Sequence, residues 1–381
     1  MLILNNILKF YIAPQLQLMA LKIQVTKTTL PSKKEYFQYI DQIWKNGWLT
    51  NNGPLSLKLE LELKSFLGVP YLQFISNGTI ALQLAINSLK LDGEIITTPY
   101  SYVATTSAIL WENCKPVFCD IKKGSFNIDA DLIESKITSK TCAILATHVY
   151  GIPCDVKKIE QIAKKHNLKV IYDAAHAFGV KIGDTSIFNY GDISITSFHA
   201  TKIFHTIEGG AVITQNKELD KLIGLGKTFG HVGDDHKLLG INGKNSEFHA
   251  AMGLCNLKTI QDQIEARQEM YNFFCNSLVG LPIKTLFIPT GVTHNYAYFP
   301  IVFKNNEEMI AAKDLMEKNE IYPRRYFYPS LNRLPYIKNK VSCPISEDIS
   351  EKVLCLPFYP SLSIEQMERI FNCLKRALNY V

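Results

Sequence analysis

Short apolar runs alternate with helix-like segments between residues 71 and 214, and this alternation limits the possible folds more than any other feature of the chain. Such a run is typical of a strand buried on both faces, and the segments between the runs show the three- and four-residue spacing of helices. Alternating strands and helices predict an α/β fold with a mostly parallel sheet, whose ligands bind at the carboxyl ends of the strands. The seven predicted strands cover residues 71–76, 94–98, 117–120, 142–148, 169–172, 193–198 and 210–214.

The length of the chain predicts a second domain. At 381 residues it exceeds the size at which a single hydrophobic core keeps growing. After a predicted long helix at 247–278 the pattern changes to a strand at 297–303 and helices at 307–319 and 364–378. We therefore predict a large ligand-binding domain and a smaller C-terminal α/β domain, which cover residues 23–265 and 266–381.

Residues 1–22 are predicted to be an N-terminal leader of unknown role. Their apolar stretch is interrupted by Asn5, Lys9 and Pro14, so it falls short of the roughly 18 apolar residues of a membrane span. It also lacks the basic start and the small-residue cleavage site of a signal peptide. A second translation start at Met19 is our hypothesis, which the intact mass of the natively expressed protein would test.

Charge and cysteine content exclude several classes of function. The formal net charge of +6 comes from scattered Lys and Arg residues, which argues against nucleic-acid binding. The nine cysteines include no CxxC pair and no zinc-like spacing, which predicts reduced thiols in a cytoplasmic enzyme. The chain also lacks a P-loop and a nucleophile elbow. We expect no metal site, no nucleic-acid partner and no membrane association.

A lysine and an aspartate follow two of the predicted strands. The strand at 169–172 runs into Asp173, and Lys202 closes a Ser/Thr-rich loop after the strand at 193–198. A lysine amine can form a Schiff base with an aldehyde, and a carboxylate can keep a pyridine nitrogen protonated. The pair therefore predicts a pyridoxal phosphate site. For either residue alone, a surface lysine or a buried structural aspartate is the ordinary alternative.

A phosphate-binding turn is predicted where a strand leads into a helix, at 76–79. Gly78 allows close approach of the backbone, and free N–H groups at the helix start can hold a phosphate together with the hydroxyl of Thr79 or Ser76. Ser197, five residues before the lysine, is a second candidate phosphate donor. Many strand-to-helix turns share this pattern, so the prediction depends on the lysine and aspartate beside it.

Aromatic and imidazole side chains complete the candidate site. Tyr100 or Tyr102 could stack on the cofactor ring, although tyrosines at strand ends more often only pack. His176 lies three residues after the aspartate and could hydrogen-bond the phenolic oxygen of the cofactor, with a structural role in the turn as the alternative. His199, in the lysine loop, could contact the substrate.

Taken together, these motifs resemble the sugar aminotransferases of the DegT/DnrJ/EryC1/StrS type, which are fold-type-I pyridoxal-phosphate-dependent transferases. The resemblance extends from about residue 48 to the C-terminus. The segments that carry it are 47–54, 76–79, 148–151, 173–176, 197–202, 208–210, 239–247 and 356–362. The chain departs from the family pattern at 243–244, where a Gly-Lys pair replaces a common Tyr-Arg pair.

The resemblance implies a role for each candidate residue. Lys202 would form the Schiff base, and Asp173 would pair with the pyridinium nitrogen. The other implied cofactor contacts are His176 (in a place often held by Gln), the stacking Tyr102, Gly78, Thr79, Ser197 and Asn242. The last of these would reach the cofactor phosphate of a neighbouring subunit, so the resemblance implies a homodimer with shared active sites.

The resemblance also implies a reaction. Glutamate would donate its amino group to a nucleotide-linked 4-keto-6-deoxy sugar, such as dTDP-4-keto-6-deoxyglucose, through the pyridoxamine form of the cofactor. The motifs are most similar to those of enzymes that make dTDP-4-amino-4,6-dideoxyglucose, an amino sugar of surface polysaccharides such as lipopolysaccharide O-antigen. The implied substrate contacts are Trp48, Thr50, His199, Arg324, Arg325 and Tyr328.

Several alternatives stay open. His199 favours amination at C4, but a 3-keto sugar or a UDP-linked 4-keto sugar is the competing substrate. Some family members are dehydratases with His in place of the lysine, and Lys202 argues against that reaction. A non-catalytic regulator that retains the fold is the remaining alternative.

Overall fold

The computed structural model describes residues 22–338 and 340–379, so the predicted leader, apart from its last residue, and the hypothetical start at Met19 lie outside the described residues. The helices are α1 (Lys33–Asn46), α2 (Pro54–Leu67), α3 (Gly78–Ser88), α4 (Val103–Trp111), α5 (Ala130–Ile133), α6 (Val156–His166), α7 (Lys217–Gly226), α8 (Glu247–Leu257), α9 (Ile260–Ser277), α10 (Asn306–Lys318), α11 (Pro344–Lys352) and α12 (Ile364–Ala377).

The strands are β1 (Ile23–Gln24), β2 (Tyr71–Ile75), β3 (Glu94–Thr97), β4 (Lys115–Phe118), β5 (Thr141–Thr147), β6 (Lys169–Asp173), β7 (Lys181–Ile182), β8 (Thr185–Ser186), β9 (Ile193–Ser197), β10 (Gly210–Thr214), β11 (His231–Val232), β12 (Asp235–His236), β13 (Lys284–Thr285), β14 (Val292–Thr293), β15 (Pro300–Val302), β16 (Ile321–Tyr322) and β17 (Val353–Cys355).

A seven-stranded sheet forms the centre of the fold, in the order β2-β10-β9-β6-β5-β3-β4. Strand β10 runs antiparallel to both of its neighbours, while β9, β6, β5, β3 and β4 pair in parallel. The predicted α/β class and the mostly parallel seven-stranded sheet are therefore confirmed. None of the helices in the described part of the chain is long and apolar enough to cross a membrane.

The sheet is apolar on both faces because helices cover both. In β5, Ile144 packs into a core with α1, α2, α6 and α8, whereas its neighbour Leu145 packs into a core with α3, α4 and α7. Adjacent residues of a strand point to opposite faces, so a strand covered on both sides has no polar alternation. The continuous apolar runs in the sequence follow from this layered arrangement.

The predicted single helix at 247–278 is wrong, because the structure has two helices, α8 and α9, with a break at 258–259. The backbone N–H of Thr259 bonds the carbonyl of Asn256, three residues back, and the Thr259 hydroxyl contacts the same carbonyl. This tighter turn interrupts the helical ladder. Apolar residues continue at helical spacing through the break, so periodicity did not reveal it.

The strand predicted at 297–303 is shorter in the structure, where only β15 has strand pairing. Strand β15 lies between β13 and β17 in a small antiparallel sheet. The residues before β15 leave the ladder and approach the large sheet, which places Tyr298 beside Lys202.

A second hydrophobic core lies under the small sheet and contains residues of α9, α10 and α12. Helix α9 joins the two cores, since Ile260 belongs to the first and Phe274 to the second. Ile23 also packs in the second core, where β1 pairs in parallel with β16. We propose that the domain boundary lies within α9, close to the expected 265–266, and that β1 belongs to the small domain.

Candidate active site

A cavity of about 620 Å³ opens at the carboxyl ends of β6 and β9. Ligands of parallel α/β sheets bind at this edge, because the loops that follow the strands meet there. Most of the predicted site residues line this cavity: Gly78, Thr79, Tyr102, Asp173, His176, Ser197, His199, Lys202 and Arg324. The fold thus brings together residues that lie up to 246 positions apart in the sequence.

Asp173 is the last residue of β6, and its carboxylate faces the cavity. One oxygen accepts a 2.7 Å hydrogen bond from the hydroxyl of Thr105, and the other accepts a 3.1 Å hydrogen bond from the backbone N–H of Ala175. Burial raises the pKa of Asp173, while these hydrogen bonds and the charge of Lys202 oppose the rise. A cationic group bound against the carboxylate would favour its ionised form further.

Lys202 lies in a turn after β9, where its backbone N–H donates to the carbonyl of His199 at 2.8 Å. Its Nζ lies 3.1 Å from the hydroxyl oxygen of Tyr298. Burial lowers the pKa of Lys202, against the opposing charge of Asp173. A lowered pKa increases the share of neutral amine, which is the form that attacks a carbonyl carbon.

His176 lines the cavity and has one of its ring nitrogens engaged. Its Nδ1 accepts a 3.1 Å hydrogen bond from the backbone N–H of Tyr150, and its ring stacks on Phe327 at 5.5 Å. Burial and, secondarily, the charge of Lys202 hold the pKa of His176 well below its usual range. The ring is therefore neutral with its proton on Nε2, which can donate to an oxygen in the cavity.

Backbone donors gather where α3 begins. Asn77 caps the helix, because its side-chain oxygen accepts from the N–H of Ile80 at 2.9 Å, and the N–H groups of Gly78 and Thr79 have no partner within the helix. A Cβ at Gly78 would lie 3.1 Å from the Cβ of Ser197. Glycine therefore allows the helix start and the end of β9 to approach each other, and their N–H and hydroxyl groups suit a phosphate.

Charged and aromatic side chains surround the cavity mouth. The Nδ1 of His199 lies 2.8 Å from the hydroxyl of Thr201, and its Nε2 lies 3.5 Å from the carboxylate of Glu208. Tyr102 is half exposed and lines the mouth as the first residue before α4. Arg324 is exposed, with its guanidinium group 5.3 Å from the ring centre of Tyr326.

Five predicted site residues do not line the cavity: Trp48, Thr50, Asn242, Arg325 and Tyr328. Arg325 is engaged elsewhere, since it donates to the carboxylate of Glu351 at 2.8 Å and stacks 3.4 Å from the ring centre of Tyr328. The Nε1 of Trp48 donates to the carbonyl of Thr50 at 2.5 Å, on the exposed loop before α2. Asn242 is also exposed, and its side-chain oxygen accepts from Lys244 at 2.5 Å.

The structure adds two residues that the sequence did not indicate, Thr105 and Tyr298, which hydrogen-bond the predicted aspartate and lysine. Tyr326 and Phe327 also line the cavity, and they belong to the segment 324–329, which resembles the family. Glu208 belongs to a segment that carried the family resemblance, which was a usable signal. Thr105 and Tyr298 lie among apolar residues of a helix and a strand edge and gave none.

The residues present fit pyridoxal phosphate. The cavity holds an amine, a buried carboxylate, a neutral imidazole that donates from Nε2 and a cluster of backbone donors at a helix start. These groups match an aldehyde, a pyridine nitrogen, a phenolic oxygen and a phosphate. Within residues 22–338 and 340–379, no group of three His, Cys, Asp or Glu side chains is arranged to hold a metal ion.

Comparison with known proteins identifies the family of the chain. Residues 31–375 match the model of the DegT/DnrJ/EryC1/StrS aminotransferase family. The chain belongs to this family. The protein is therefore a pyridoxal-phosphate-dependent aminotransferase, and the family, the reaction class and the cofactor predicted from the sequence are confirmed.

Its relatives include two proteins named dTDP-4-amino-4,6-dideoxy-D-glucose transaminase. The one from Shigella dysenteriae is 41% identical over 360 residues, which cover 93% of this chain and 98% of that protein. The one from Escherichia coli is 42% identical over 365 residues, which cover 92% and 98%. A GDP-perosamine synthase from Escherichia coli O157:H7 is 32% identical over 92% of this chain and 96% of its own length.

Solved sugar aminotransferases share the fold. The structure of DesI in the presence of its TDP-sugar product has a TM-score of 0.89 at 26% identity, and 94% of each chain is covered. The Helicobacter pylori aminotransferase PseC has a TM-score of 0.87 at 25% identity, over 94% of this chain and 100% of the other. This agreement extends over both cores of the aminotransferase.

Proposed function

We propose that this aminotransferase transfers the amino group of L-glutamate to C4 of a nucleotide-linked 4-keto-6-deoxy sugar, with dTDP-4-keto-6-deoxyglucose as the substrate. The observation that carries the proposal is that Lys202 and Asp173 line one cavity together with the start of α3, whose backbone donors suit a phosphate. The choice of sugar is supported by the two relatives above 40% identity, whose names specify the corresponding amino sugar.

When bound, pyridoxal phosphate supplies an electron sink that stabilises negative charge on the substrate carbon. In our proposal Lys202 holds the cofactor covalently and then, once freed, moves a proton to or from the reacting carbon. Its burial lowers its pKa and so increases the share of neutral amine that can act as a base. Asp173 would pair with the ring nitrogen and keep it cationic, and Nε2 of His176 would donate to the phenolic oxygen.

The cofactor phosphate would bind at the start of α3. The N–H groups of Gly78 and Thr79 point to the cavity edge, and the hydroxyl of Ser197 lies across from them. A helix start favours an anion through both its free donors and its dipole. Tyr102 would cover the ring from the mouth side, because it is half exposed beside the cavity.

The nucleotide sugar would enter past His199 and Arg324, which line the mouth. We assign the contact with the diphosphate to Arg324, because the guanidinium group of Arg325 already pairs with Glu351. A planar guanidinium matches two phosphate oxygens at once. His199, held near Glu208 at 3.5 Å, would contact the sugar.

The active form is proposed to be a homodimer with shared sites. Trp48, Thr50, Asn242 and Tyr328 lie outside the cavity of their own chain, and in a homodimer they would act in the cavity of the second copy. Large apolar side chains also stay exposed on α1 and α2, among them Trp44 at 70%. Exposed apolar surface of this kind is typical of a subunit interface.

The cellular setting follows from the substrate. A dTDP-linked amino sugar is a precursor for surface polysaccharides such as lipopolysaccharide O-antigen, so we propose that role and a cytoplasmic location. The nine cysteines, all free in the structure, are compatible with a reducing compartment.

The test supplies purified, cofactor-loaded protein with glutamate and a panel of nucleotide-linked keto sugars. We expect 2-oxoglutarate and an amino sugar from dTDP-4-keto-6-deoxyglucose, with the C4 configuration read by NMR. The substrate assignment would be overturned if a GDP-linked or UDP-linked 4-keto sugar, or a 3-keto sugar, were converted with a higher kcat/KM. Loss of a sugar hydroxyl without formation of 2-oxoglutarate would show that the protein is a dehydratase. If none of the sugars were converted, the alternative of a non-catalytic regulator would be favoured.

A further inference from the structure

Tyr298 approaches the reactive lysine from the segment before β15. Its hydroxyl oxygen lies 3.1 Å from Nζ of Lys202, which comes from the loop after the large sheet. Tyr298 itself precedes β15, and while the adjacent Phe299 belongs to the second core, Tyr298 packs against a separate cluster that includes Tyr150 and Phe327. Among the described residues, Tyr298 is the hydrogen-bond partner of the Lys202 side chain.

The position of Tyr298 is fixed by a buried asparagine. The side chain of Asn295 donates to the carbonyls of His176 and Phe178 at 2.9 and 3.0 Å, and its oxygen accepts from the N–H of Ala297 at 3.2 Å. The ring of Tyr298 packs against that of His176 with centres 4.6 Å apart. The phenol is therefore held against the same loop that carries two of the proposed cofactor contacts.

The phenol stays protonated. Burial raises the pKa of Tyr298, and the positive charge of Arg267 only partly opposes the rise. Arg267 is itself buried, with Nη1 donating to the carbonyl of Phe358 at 3.1 Å, and this burial lowers its pKa to about 10. A neutral hydroxyl can both accept a hydrogen bond from an ammonium group and donate one to a neutral amine.

The other ionisable groups around Lys202 do not bond its amine. Asp173, Tyr102 and Tyr326 influence its charge, and His176 faces it as a neutral ring. Among these groups, only Tyr298 lies at hydrogen-bond distance from Nζ. A flexible side chain with four rotatable bonds would otherwise have several positions open to it once it is not covalently attached.

We propose that Tyr298 is the positioning residue for the freed amine of Lys202: its hydroxyl holds Nζ beside the reacting carbon while the amine transfers protons. The inference rests on the proposed function of Lys202. It predicts that loss of the hydroxyl slows turnover without weakening substrate binding, because the hydroxyl is engaged with Nζ of Lys202.

The test is Tyr298→Phe, with Tyr296→Phe as the matched control. Tyr296 lies two residues earlier on the same segment, and its ring packs on Tyr271 rather than near the lysine. In apo-protein, pH-dependent amine labelling read by mass spectrometry gives the pKa of Lys202. We expect Tyr298→Phe to lower that pKa by about one pH unit, because the ammonium loses its acceptor. In loaded enzyme we expect kcat to fall about tenfold, with each KM within about twofold.

An unchanged labelling profile with normal kcat would overturn the proposal. So would an unchanged profile with a lower Tm and lower activity, since that combination describes a merely structural tyrosine. If Tyr298→Phe does not fold, 3-fluorotyrosine at position 298 keeps the shape and acidifies the phenol, and the same profile is measured. The labelling needs no cofactor, so failure of the proposed function is separate: borohydride treatment of loaded wild-type enzyme would then leave Lys202 unmodified.

Discussion

The hydroxyl of Thr105 donates a 2.7 Å hydrogen bond to the carboxylate of Asp173, which lies 68 residues further along the chain. Thr105 is buried in α4, and Asp173 ends β6. The bond favours the ionised carboxylate in a place where burial favours the neutral one. The helix thus controls a charge that the sheet presents to the cavity.

Thr105→Val tests this control. The change keeps the shape but removes the donor, so the pKa of Asp173 should rise and the acidic limb of the kcat profile should move to higher pH. Because a hydrogen bond to a charged group contributes about 1.5 kcal/mol, we expect its removal to lower kcat about tenfold at neutral pH. The neighbouring Thr106 has a buried hydroxyl without a partner among the described residues. Thr106→Val should leave the profile unchanged, and equal effects of both changes would contradict the assignment.

Lys202→Ala should remove turnover while the protein still folds. The amine is proposed to act both as covalent anchor and as proton carrier, so kcat should fall by about a thousandfold or more. Release of 2-oxoglutarate measures turnover, and circular dichroism checks the fold. Lys217→Ala, at an exposed helix start away from the cavity, is the control and should retain full activity. Substantial activity in Lys202→Ala would remove the lysine from the mechanism.

Arg324→Ala should weaken binding of the nucleotide sugar alone. Loss of a charge-assisted contact with the diphosphate is expected to raise the KM for that substrate about tenfold, with the KM for glutamate unchanged. Arg325→Ala is the matched control, because Arg325 pairs with Glu351 and should affect stability rather than KM. The opposite pattern would move the diphosphate contact to Arg325. Steady-state kinetics with each substrate varied separately gives both values.

Shared sites can be tested by mixing inactive variants. Asn242→Ala should impair cofactor binding in the neighbouring subunit, and Lys202→Ala should inactivate its own cavity. If a site uses one residue from each chain, random mixed dimers regain intact cavities in about a quarter of sites. Recovery of about that fraction of wild-type activity after co-refolding supports the homodimer. Absence of recovery, with mixed dimers verified by mass, would show that Asn242 does not act across subunits.

Acid stability should depend on a histidine outside the cavity. Burial lowers the pKa of His148 to about 3, while its Nδ1 accepts from the N–H of Cys154 at 3.0 Å. The unfolded chain therefore binds a proton below about pH 6.5 that the folded chain refuses, and stability is lost as pH falls from there towards 3. By pH 5 this site costs about 2 kcal/mol in the free energy of unfolding.

His148→Gln keeps an acceptor for Cys154 but cannot take up a proton. Its free energy of unfolding, measured with urea, should decline less than that of the wild type between pH 7 and pH 5. The same change at the exposed His236 should leave the pH dependence unchanged. Parallel curves for the wild type and His148→Gln would show that His148 is not the group responsible.

The sequence by itself determined the class of the fold and the centre of the site. Apolar strands between helices predicted the parallel sheet, because a short continuous apolar run is itself the sign of a strand buried on both faces. Asp173 and Lys202 could be found because one ends a strand and the other lies in the loop after a strand, and parallel strands end at the same edge. The ordered motifs gave the family. The break between α8 and α9 at 258–259 could not be predicted, because apolar residues continue at helical spacing across it.

Only the tertiary structure decided which side chains serve that centre. Thr105 and Tyr298 lie 68 and 96 residues from the groups they bond, and nothing in their local sequence marks them. Arg324 and Arg325 are identical in sequence terms, yet one lines the cavity and the other pairs with Glu351. Periodicity depends on residues within a few positions, whereas a hydrogen bond between distant segments depends on how whole helices and sheets pack.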